Sequence, residues 1–391
     1  MLPYLPALIV GRFIHGITSG ISSWVVPMFI KEISPMRYRG PLIALTQQMI
    51  TTGLMIWLIM GLTLPNIPNS GKDPWNVNIP EYSWRLVFAI PGIVALIQLL
   101  LILFIFKNEN PKYCKVTKKN QELGNNLTNL SETNNHVSLN SCEKSEDSMV
   151  ILTSDDKVIY THNESLYELL SFPRNRALLV GCCVHIFQQF SGINMVFQYS
   201  FYFSVVQSVD RLNLRFFMGI LNATMTLGSM YLVKVCRRRP ILMFGFLSAC
   251  ACNSFIFILF GVSDGHQGTR LSSLPNYITI SVIWIYIMVY SLTIGALTWV
   301  YSAEVLTDRG MGLAISAHWI SNMIIFFLPN FSIDFKRSLS GESYKADTAV
   351  FFFLFSGLWM VAFFFMVVFA RETHKKTRKA ISYMFGRNVQ K

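Results

Sequence analysis

Nine long apolar stretches constrain this chain more than any other feature of its sequence. Each is 19 to 29 residues long, and together they cover residues 5–29, 41–64, 84–106, 177–205, 212–235, 240–262, 277–302, 311–329 and 348–370. A helix of about 20 apolar residues crosses the hydrocarbon core of a bilayer. Charged residues make up only 14% of the chain, whereas about 25% is usual in soluble proteins. We therefore predict an all-α membrane protein with nine spanning helices.

The loops between these runs alternate in positive charge. The loops after runs one, three, five and seven, together with the C-terminal tail, hold 24 Lys and Arg residues, against 8 in the other loops. In membrane proteins the excess of Lys and Arg lies in the cytoplasmic loops. We therefore predict an outer N-terminus and a cytoplasmic C-terminus. The net charge of +12 is then explained by topology, and no nucleic-acid partner is needed.

The chain divides into four parts by composition. Residues 1–106 hold three runs, 107–176 form a polar cytoplasmic linker, 177–370 hold six runs and 371–391 form a cytoplasmic tail. The linker is rich in Asn, Ser, Glu and Lys, which predicts partial disorder with short helices, one of them at 163–170. These four parts are the predicted domains.

An internal repeat relates the two ends of the chain. Glu32 and Arg39-Gly40 before the second run correspond to Glu304 and Arg309-Gly310 before the eighth. Runs one to three thus match runs seven to nine, while runs four to six have no counterpart upstream. The simplest explanation is an array of two six-helix halves, the first of which lacks three helices.

Motifs of enzymatic chemistry do not occur in the sequence. Its seven cysteines show no paired metal-ligand spacing, and there is no HExxH, P-loop or dinucleotide-binding motif. We predict no catalytic residue, no metal site and no cofactor, and hence no enzyme.

A polar stretch, Gln188-Gln189-Phe190-Ser191-Gly192-Ile193-Asn194, interrupts the fourth run near its middle. Amides at that depth must face protein, water or a ligand, because lipid offers no hydrogen bonds. On a straight helix Gln188 and Asn194 would lie roughly 120° apart. We therefore predict a break near Ser191-Gly192 that turns both amides into one cavity. Interrupted helices of this kind hold the substrates of transporters, although amides also bridge helices.

Two motifs of the chain resemble those of the sugar porters in the major facilitator superfamily, in the branch of facilitative glucose transporters. One runs from Val26-Pro27-Met28 through Glu32 to Pro35 and Arg39-Gly40, after Gly11-Arg12-Phe13. The other is the stretch from Gln188 to Asn194 with Tyr199-Ser200. The resemblance covers family helices four to twelve, so we expect a truncated gene model or an isoform that lacks helices one to three. It implies a two-half fold with a hexose bound between the halves.

The resemblance also implies roles for particular residues. Sugar-contacting residues would be Gln188, Gln189, Asn194, Asn222, Trp299, His318 and Asn322. Gating residues would be Tyr199 near the outer side and, in a cytoplasmic latch of ion pairs, Arg12, Glu32, Arg39, Glu109, Arg238, Arg239, Glu304 and Arg309. Amides suit hydroxyl groups because they both donate and accept hydrogen bonds. As alternatives, Asn222 would bridge helices, Trp299 would be a packing aromatic, and the arginines would only mark the cytoplasmic side.

Three departures from the family pattern concern the predicted site. In the family, a glutamine in the helix that corresponds to the second run contacts the sugar. Leu58 stands at its position in this chain, so we expect that contact to be lost. The helix before Trp299 keeps Gly295 but has no proline, which predicts a stiffer helix. His318 replaces an asparagine and shares a helix face with Asn322. Glucose specificity and efficient gating are therefore open questions.

We expect facilitative transport of a hexose by alternating access, in a multi-pass protein of the plasma membrane whose partners are the sugar and the bilayer. One alternative is a proton-coupled sugar symporter, which normally needs a carboxylate within the membrane, and none lies inside the nine runs. The other alternative is a non-transporting sugar sensor, or a partner of full-length transporters.

Overall fold

The described part of the chain consists of α-helices, one π-helical segment and one β-hairpin. The computed structural model describes residues 5–35, 38–62, 81–105, 148–152, 158–162, 170, 175–194, 196–197, 211–264, 273–339 and 344–386. Before the linker lie α1 (Leu5–Ile33), α2 (Arg39–Leu62) and α3 (Glu81–Ile105). After it lie α4 (Asn175–Gln189), α5 (Arg211–Val235), α6 (Arg238–Asp264), α7 (Ser273–Tyr290), the π segment (Ser291–Gly295), α8 (Ala296–Val305), α9 (Asp308–Leu339), α10 (Tyr344–Phe369) and α11 (Arg378–Met384).

Each of the nine apolar runs contains a helix, and six stretches are long and apolar enough to cross a membrane. They are Ile9–Ile33, Phe216–Val235, Arg238–Leu259, Ile278–Val305, Asp308–Phe327 and Phe352–Phe369, among the residues that the structure describes. Helix α3 adds a shorter apolar stretch, Ala89–Phe104. Helix α4 has only 15 residues because it ends at Gln189, and α2 carries five Thr and Gln side chains. Length and composition therefore support six of the nine predicted spans.

The core is centred on α8. All of its residues except Glu304 are buried, and it packs against α1, α2, α4, α5, α6, α9 and α11. Its sequence is apolar or small at nearly every position, which is typical of a helix surrounded on all sides. Contacts divide the chain into two units, one of Met1–Ile67 with Leu169–Lys391, which holds this core, and another of Pro68–Glu168.

The second unit holds α3 and a two-stranded antiparallel hairpin. Strand β1 (Ser148–Leu152) pairs with β2 (Val158–His162), and Val150 lies opposite Tyr160. This hairpin differs from the disorder and short helices predicted for the linker. The reason is local, because both strands are rich in β-branched residues, with Tyr160 in β2, and such residues favour the extended conformation. Of the helix predicted at 163–170, the structure describes Leu170 alone, which is helical.

Candidate functional site

Helix α4 breaks where the polar stretch predicts. It ends at Gln189, and Gly192 has a positive φ of 76°. Glycine is the residue that adopts this conformation without strain. The backbone N–H of Gly192 donates to the carbonyl of Gln189 over 3.3 Å, and the N–H of Val196 donates to the carbonyl of Gly192 over 2.9 Å. A Cβ at Gly192 would lie 2.6 Å from a ring carbon of Phe355, so the packing also requires glycine.

Four side chains assigned to sugar binding lie within hydrogen-bonding distance of one another. Asn194 Nδ2 donates to Gln189 Oε1 over 2.8 Å and to Asn322 Oδ1 over 3.1 Å. Gln189 Nε2 lies 2.8 Å from His318 Nε2 and 3.2 Å from His318 Nδ1. We call these four residues the amide cluster. The break in α4 thus brings Asn194 to Gln189, while the Gln188 amide contacts Gly295.

Three rings form one wall of the amide cluster. Trp299 in α8, His318 in α9 and His185 in α4 contact one another with ring centroids 5.2 to 5.3 Å apart. Trp299 and His185 are 1% and 0% exposed. The indole Nε1 of Trp299 donates to Gln47 Oε1 in α2 over 2.8 Å. The wall is therefore tied to the part of the chain before the linker.

The helix preceding Trp299 is irregular although it lacks proline. The π segment interrupts it, and such segments frequently occur at functional sites. Gln188 Nε2 donates to the carbonyl of Gly295 over 3.0 Å, at one end of the segment. At the other end, Ser291 Oγ donates to Asn222 Oδ1 over 2.6 Å. The absence of proline predicts a stiffer helix. The backbone nevertheless departs from α geometry here, because a π segment can form without proline.

Three residues at the site are missed by the sequence analysis: Gln47, His185 and Ser291. Helix α2 supplies Gln47 to this wall, about three turns before Leu58, the position to which the lost sugar-contacting glutamine is assigned. His185 precedes Gln189 by four residues, and this spacing places both on one helix face. That spacing is the signal that could have found it.

An ion pair joins two residues predicted for the cytoplasmic latch. Arg238 Nη2 lies 3.2 Å from Glu304 Oε1, and both side chains are largely buried. Thr373 Oγ1 donates to the second carboxylate oxygen of Glu304 over 2.6 Å. The guanidinium of Arg238 also donates to the backbone carbonyls of Val233 and Cys236. These contacts fix Arg238 at the turn between α5 and α6.

Glu372, which is not among the predicted latch residues, holds the same turn. The backbone N–H groups of Arg238 and Arg239 donate to its two carboxylate oxygens over 2.9 and 3.2 Å. Burial alone would raise the pKa of Glu372, but hydrogen bonds from the backbone of His374, Arg238, Arg239 and Thr373 lower it overall. An ionised carboxylate at the start of α6 is also favoured by the helix dipole.

Among the other predicted gating residues, Arg12 and Arg309 are exposed, and Glu32 and Arg39 are half-buried. Tyr199 and Glu109 lie outside the described residues. Each of the four described ones makes an interaction. Gly40, next to Arg39, packs against the latch, since a Cβ there would lie 2.8 Å from Arg238 Nη2. Helix α2 thus meets the turn between α5 and α6 at this end.

A cavity of about 500 Å³ opens at the latch. Its charged and polar lining comprises Lys31, Arg39, Lys234, Arg238, His374, Lys375 and Lys376, with Glu304 as the carboxylate and Thr373 beside it. The excess of basic groups agrees with the cytoplasmic position that the loop charges predict. None of the residues that line this cavity belongs to the amide cluster.

A family model described as sugar (and other) transporter matches residues 3–385. The chain belongs to this family. It is therefore a multi-pass membrane transporter of the sugar transporter class and not an enzyme.

Several curated relatives are similar over nearly the whole chain. Hexose transporter 1 of Plasmodium knowlesi is 24% identical over 373 residues, which are 94% of this chain and 70% of that protein. The facilitated glucose transporter member 2 of solute carrier family 2 from Gallus gallus is 26% identical and covered to 65%. The high glucose sensor RGT2 of Saccharomyces cerevisiae is 27% identical over 97% of this chain and 48% of that protein.

Solved structures show the same fold. The proton:xylose symporter XylE of the major facilitator superfamily, bound to 6-bromo-6-deoxy-D-glucose, superposes with a TM-score of 0.67 at 21% identity. The match covers 98% of this chain and 74% of that one. A partially occluded inward-open form of XylE from E. coli gives a TM-score of 0.60. The helices described above therefore adopt the major facilitator fold.

Proposed function

We propose that this protein moves a hexose across a membrane by alternating access, as a facilitative transporter. The amide cluster of Gln189, Asn194, His318 and Asn322 beside Trp299 carries this proposal. Its amides and imidazole both donate and accept hydrogen bonds, which suits the hydroxyl groups of a neutral sugar. The indole offers an apolar face to the C–H side of the ring.

Sugar hydroxyls would replace the bonds that the cluster residues make with one another. Gln188 and Asn222 would add two amides from either end of the π segment. Because the cluster residues already satisfy each other, the empty site avoids the cost of unpaired buried amides. Sugar binding then exchanges one set of hydrogen bonds for another, which keeps affinity modest enough for release.

The latch would supply the cytoplasmic gate. In this proposal Arg238 and Glu304 stay paired while the site faces outward and separate when it faces inward. The other latch residues would form and lose their ion pairs in the same way; they are Arg12, Glu32, Arg39, Glu109, Arg239 and Arg309. States that interconvert readily differ by a few kcal/mol at most. A single ion pair with its supporting hydrogen bonds is of that order. Tyr199 would gate the outer side.

The spans favour facilitated transport over proton coupling. Within the described spans, carboxylates occur only near the helix ends, at Glu32, Glu304 and Asp308. A proton-coupled porter normally needs a carboxylate deeper in the membrane. We further propose that α2, α3 and α4 also cross the bilayer, which gives nine spans, and that the membrane is the plasma membrane.

The test is uptake of labelled D-glucose, D-fructose and D-xylose by cells that lack hexose transport. Saturable uptake that resists a protonophore and shows countertransport supports the proposal. Collapse of uptake by the protonophore indicates proton coupling instead. The matched variant is Asn194→Leu, which removes the amide with little change of volume and should abolish uptake. Surface protein without uptake of any sugar contradicts transport.

A sensor is the second candidate. The similarity to a protein named a high glucose sensor, over 97% of this chain, favours it. A sensor would bind sugar without moving it, so saturable glucose-dependent quenching of tryptophan fluorescence, with no flux in proteoliposomes, is the expected result. Flux in the same proteoliposomes would exclude this candidate.

A further inference from the structure

A tyrosine of α7 binds the backbone at the break in α4. Tyr286 Oη donates to the carbonyl oxygen of Ser191 over 2.8 Å. Both residues are buried, with exposed fractions of 0% for Tyr286 and 1% for Ser191. A carbonyl oxygen can only accept, so the phenol O–H is the donor of this bond. Tyr286 is neither a predicted sugar-contacting residue nor a predicted gating residue.

The peptide unit between Ser191 and Gly192 is held at both of its ends. The carbonyl of Ser191 accepts the hydroxyl proton of Tyr286. The N–H of Gly192, at the other end of the unit, donates to the carbonyl of Gln189. The φ angle of Gly192, 76°, is the rotation that directly follows this unit. A peptide unit held in this way therefore determines the direction in which the chain leaves the break.

The residues that follow the break carry Asn194 into the amide cluster. Ser191 Oγ accepts from the backbone N–H of Ile193 over 3.1 Å, as the side chain of an N-cap residue does. Asn194 is the next residue, and its Nδ2 donates to Gln189 Oε1 and to Asn322 Oδ1. The position of the Asn194 amide thus depends on the backbone that Tyr286 holds, three residues earlier.

Two hydrogen bonds join α4 to the helix formed by α7, the π segment and α8. Gln188 Nε2, which precedes the break, donates to the carbonyl of Gly295. Tyr286 binds within the break, at Ser191. Either bond alone would leave α4 able to rotate about it. Together they fix α4 and its break against one neighbouring helix.

We propose that Tyr286 is a positioning residue whose bond to the carbonyl of Ser191 holds the break in the conformation that brings Asn194 into the amide cluster. The inference rests on the proposed function for its meaning in transport. Without the hydroxyl, a buried carbonyl loses this donor, and the peptide unit turns toward another one. Asn194 then moves with the backbone and leaves Gln189, so the site binds sugar less tightly.

The variant that tests this role is Tyr286→Phe, which removes one hydroxyl and keeps the ring. We expect the KM for the transported hexose to rise about tenfold, with kcat within about twofold, because one buried hydrogen bond that positions a binding amide is lost. An unchanged KM in Tyr286→Phe would overturn the inference.

Tyr301→Phe is the matched control. Tyr301 is also 0% exposed, and its hydroxyl donates to a backbone carbonyl, that of Arg371, over 3.1 Å. This bond lies near the end of α8 and has no contact with the break. The control should lose similar thermal stability and keep the wild-type KM. An equal rise of KM in the two variants would show that the loss of any buried tyrosine hydroxyl has this effect, and would overturn the inference.

Hydrogen exchange gives a readout that needs no transport. Mass spectrometry of the purified protein in detergent follows the backbone N–H groups of Gly192, Ile193 and Val196, which form the hydrogen bonds of the break. Their exchange should be about tenfold faster in Tyr286→Phe and unchanged in Tyr301→Phe. Wild-type exchange in Tyr286→Phe would overturn the inference. If the wild type moves no sugar, the proposed function fails, and the exchange rates alone decide whether Tyr286 holds the break.

Discussion

At this site, backbone geometry restricts which residue type can occupy a position as much as side-chain chemistry does. Gly192 is the clearest case, since its positive φ and the ring of Phe355 both exclude a side chain. The break that it makes places Gln189 and Asn194 together, which a continuous helix would not do. A backbone requirement at one position therefore determines which amides lie together in the amide cluster.

Gly192→Ala should lower stability. Strain at positive φ and the clash with Phe355 together cost about 2 kcal/mol or more. Thermal unfolding of the purified protein in detergent, followed by size-exclusion fluorescence, measures the change. Gly357→Ala is the control, because a Cβ there meets no atom within 4 Å in the middle of α10, and it should unfold at the same temperature or higher. Equal unfolding temperatures for the two variants would contradict the prediction.

Glu372 should make stability depend on pH. Its pKa is lower in the folded protein than in the unfolded chain, so its contribution is present above the unfolded value and is lost as pH falls through the folded value. Unfolding temperature between pH 7 and pH 3.5 should therefore fall less in Glu372→Gln than in the wild type. Asp308→Asn, the same change at an exposed carboxylate, should leave the wild-type slope. Parallel curves for Glu372→Gln and the wild type would refute this role.

At the scale of elements, the continuous helix from α7 through the π segment to α8 organises the site. It carries Trp299, and its π segment meets Gln188 at one end and Asn222 at the other. A π segment arises when a helix holds one residue more than α geometry accommodates. The carbonyl that Gln188 contacts, that of Gly295, belongs to this π segment.

Deletion of Leu292 should restore a regular helix. The residues on both sides would keep their register, so the protein should still fold and reach the membrane. Gln188 would lose the carbonyl of Gly295 as the turn closes to α geometry, so sugar uptake should fall about fivefold, as expected for one lost polar contact. Deletion of Ile283, in the regular part of α7, is the control and should prevent folding because it turns the rest of the helix by about 100°. Uptake at wild-type level after deletion of Leu292 would show that the π segment is dispensable.

At the scale of the whole molecule, α1 and α2 are tied to helices that follow the linker. Lys31 Nζ donates to the carbonyl of Leu306, and Trp24 Nε1 donates to the carbonyl of Asp308. Trp319 Nε1 in turn donates to Ser23 Oγ in α1. With the bond from Trp299 to Gln47, these contacts connect α1 and α2 to α8 and α9 at several levels. A change of conformation must break some of them together.

Glu304→Gln should loosen the cytoplasmic end. The neutral amide keeps a partner for Thr373 but loses the charge that attracts Arg238. Cys236, half-buried in the adjoining turn, should then react faster with a membrane-impermeant maleimide applied to inside-out vesicles. Labelling is followed by mass spectrometry of the peptide that contains it. Asp308→Asn removes a charge at the same end and should not alter the rate, and no acceleration in Glu304→Gln would refute the latch.

The sequence by itself determined that each of the nine apolar runs contains a helix, where α4 breaks and which amides lie near that break. These features follow from apolar runs, from glycine and from the cost of burying amides, all of which act over a few neighbouring residues. The hairpin in the linker is not predicted, because the prediction for the linker rests on its overall composition and not on its short stretches of β-branched residues.

The tertiary structure alone decided which residues meet. Gln47 reaches Trp299, His185 reaches His318, and Glu372 reaches the start of α6, across 252, 133 and 134 positions of sequence. Such pairs depend on how helices pack and rotate against each other. A rotation of one residue, about 100°, would turn each side chain away from its partner, and no pattern within a single helix specifies that angle.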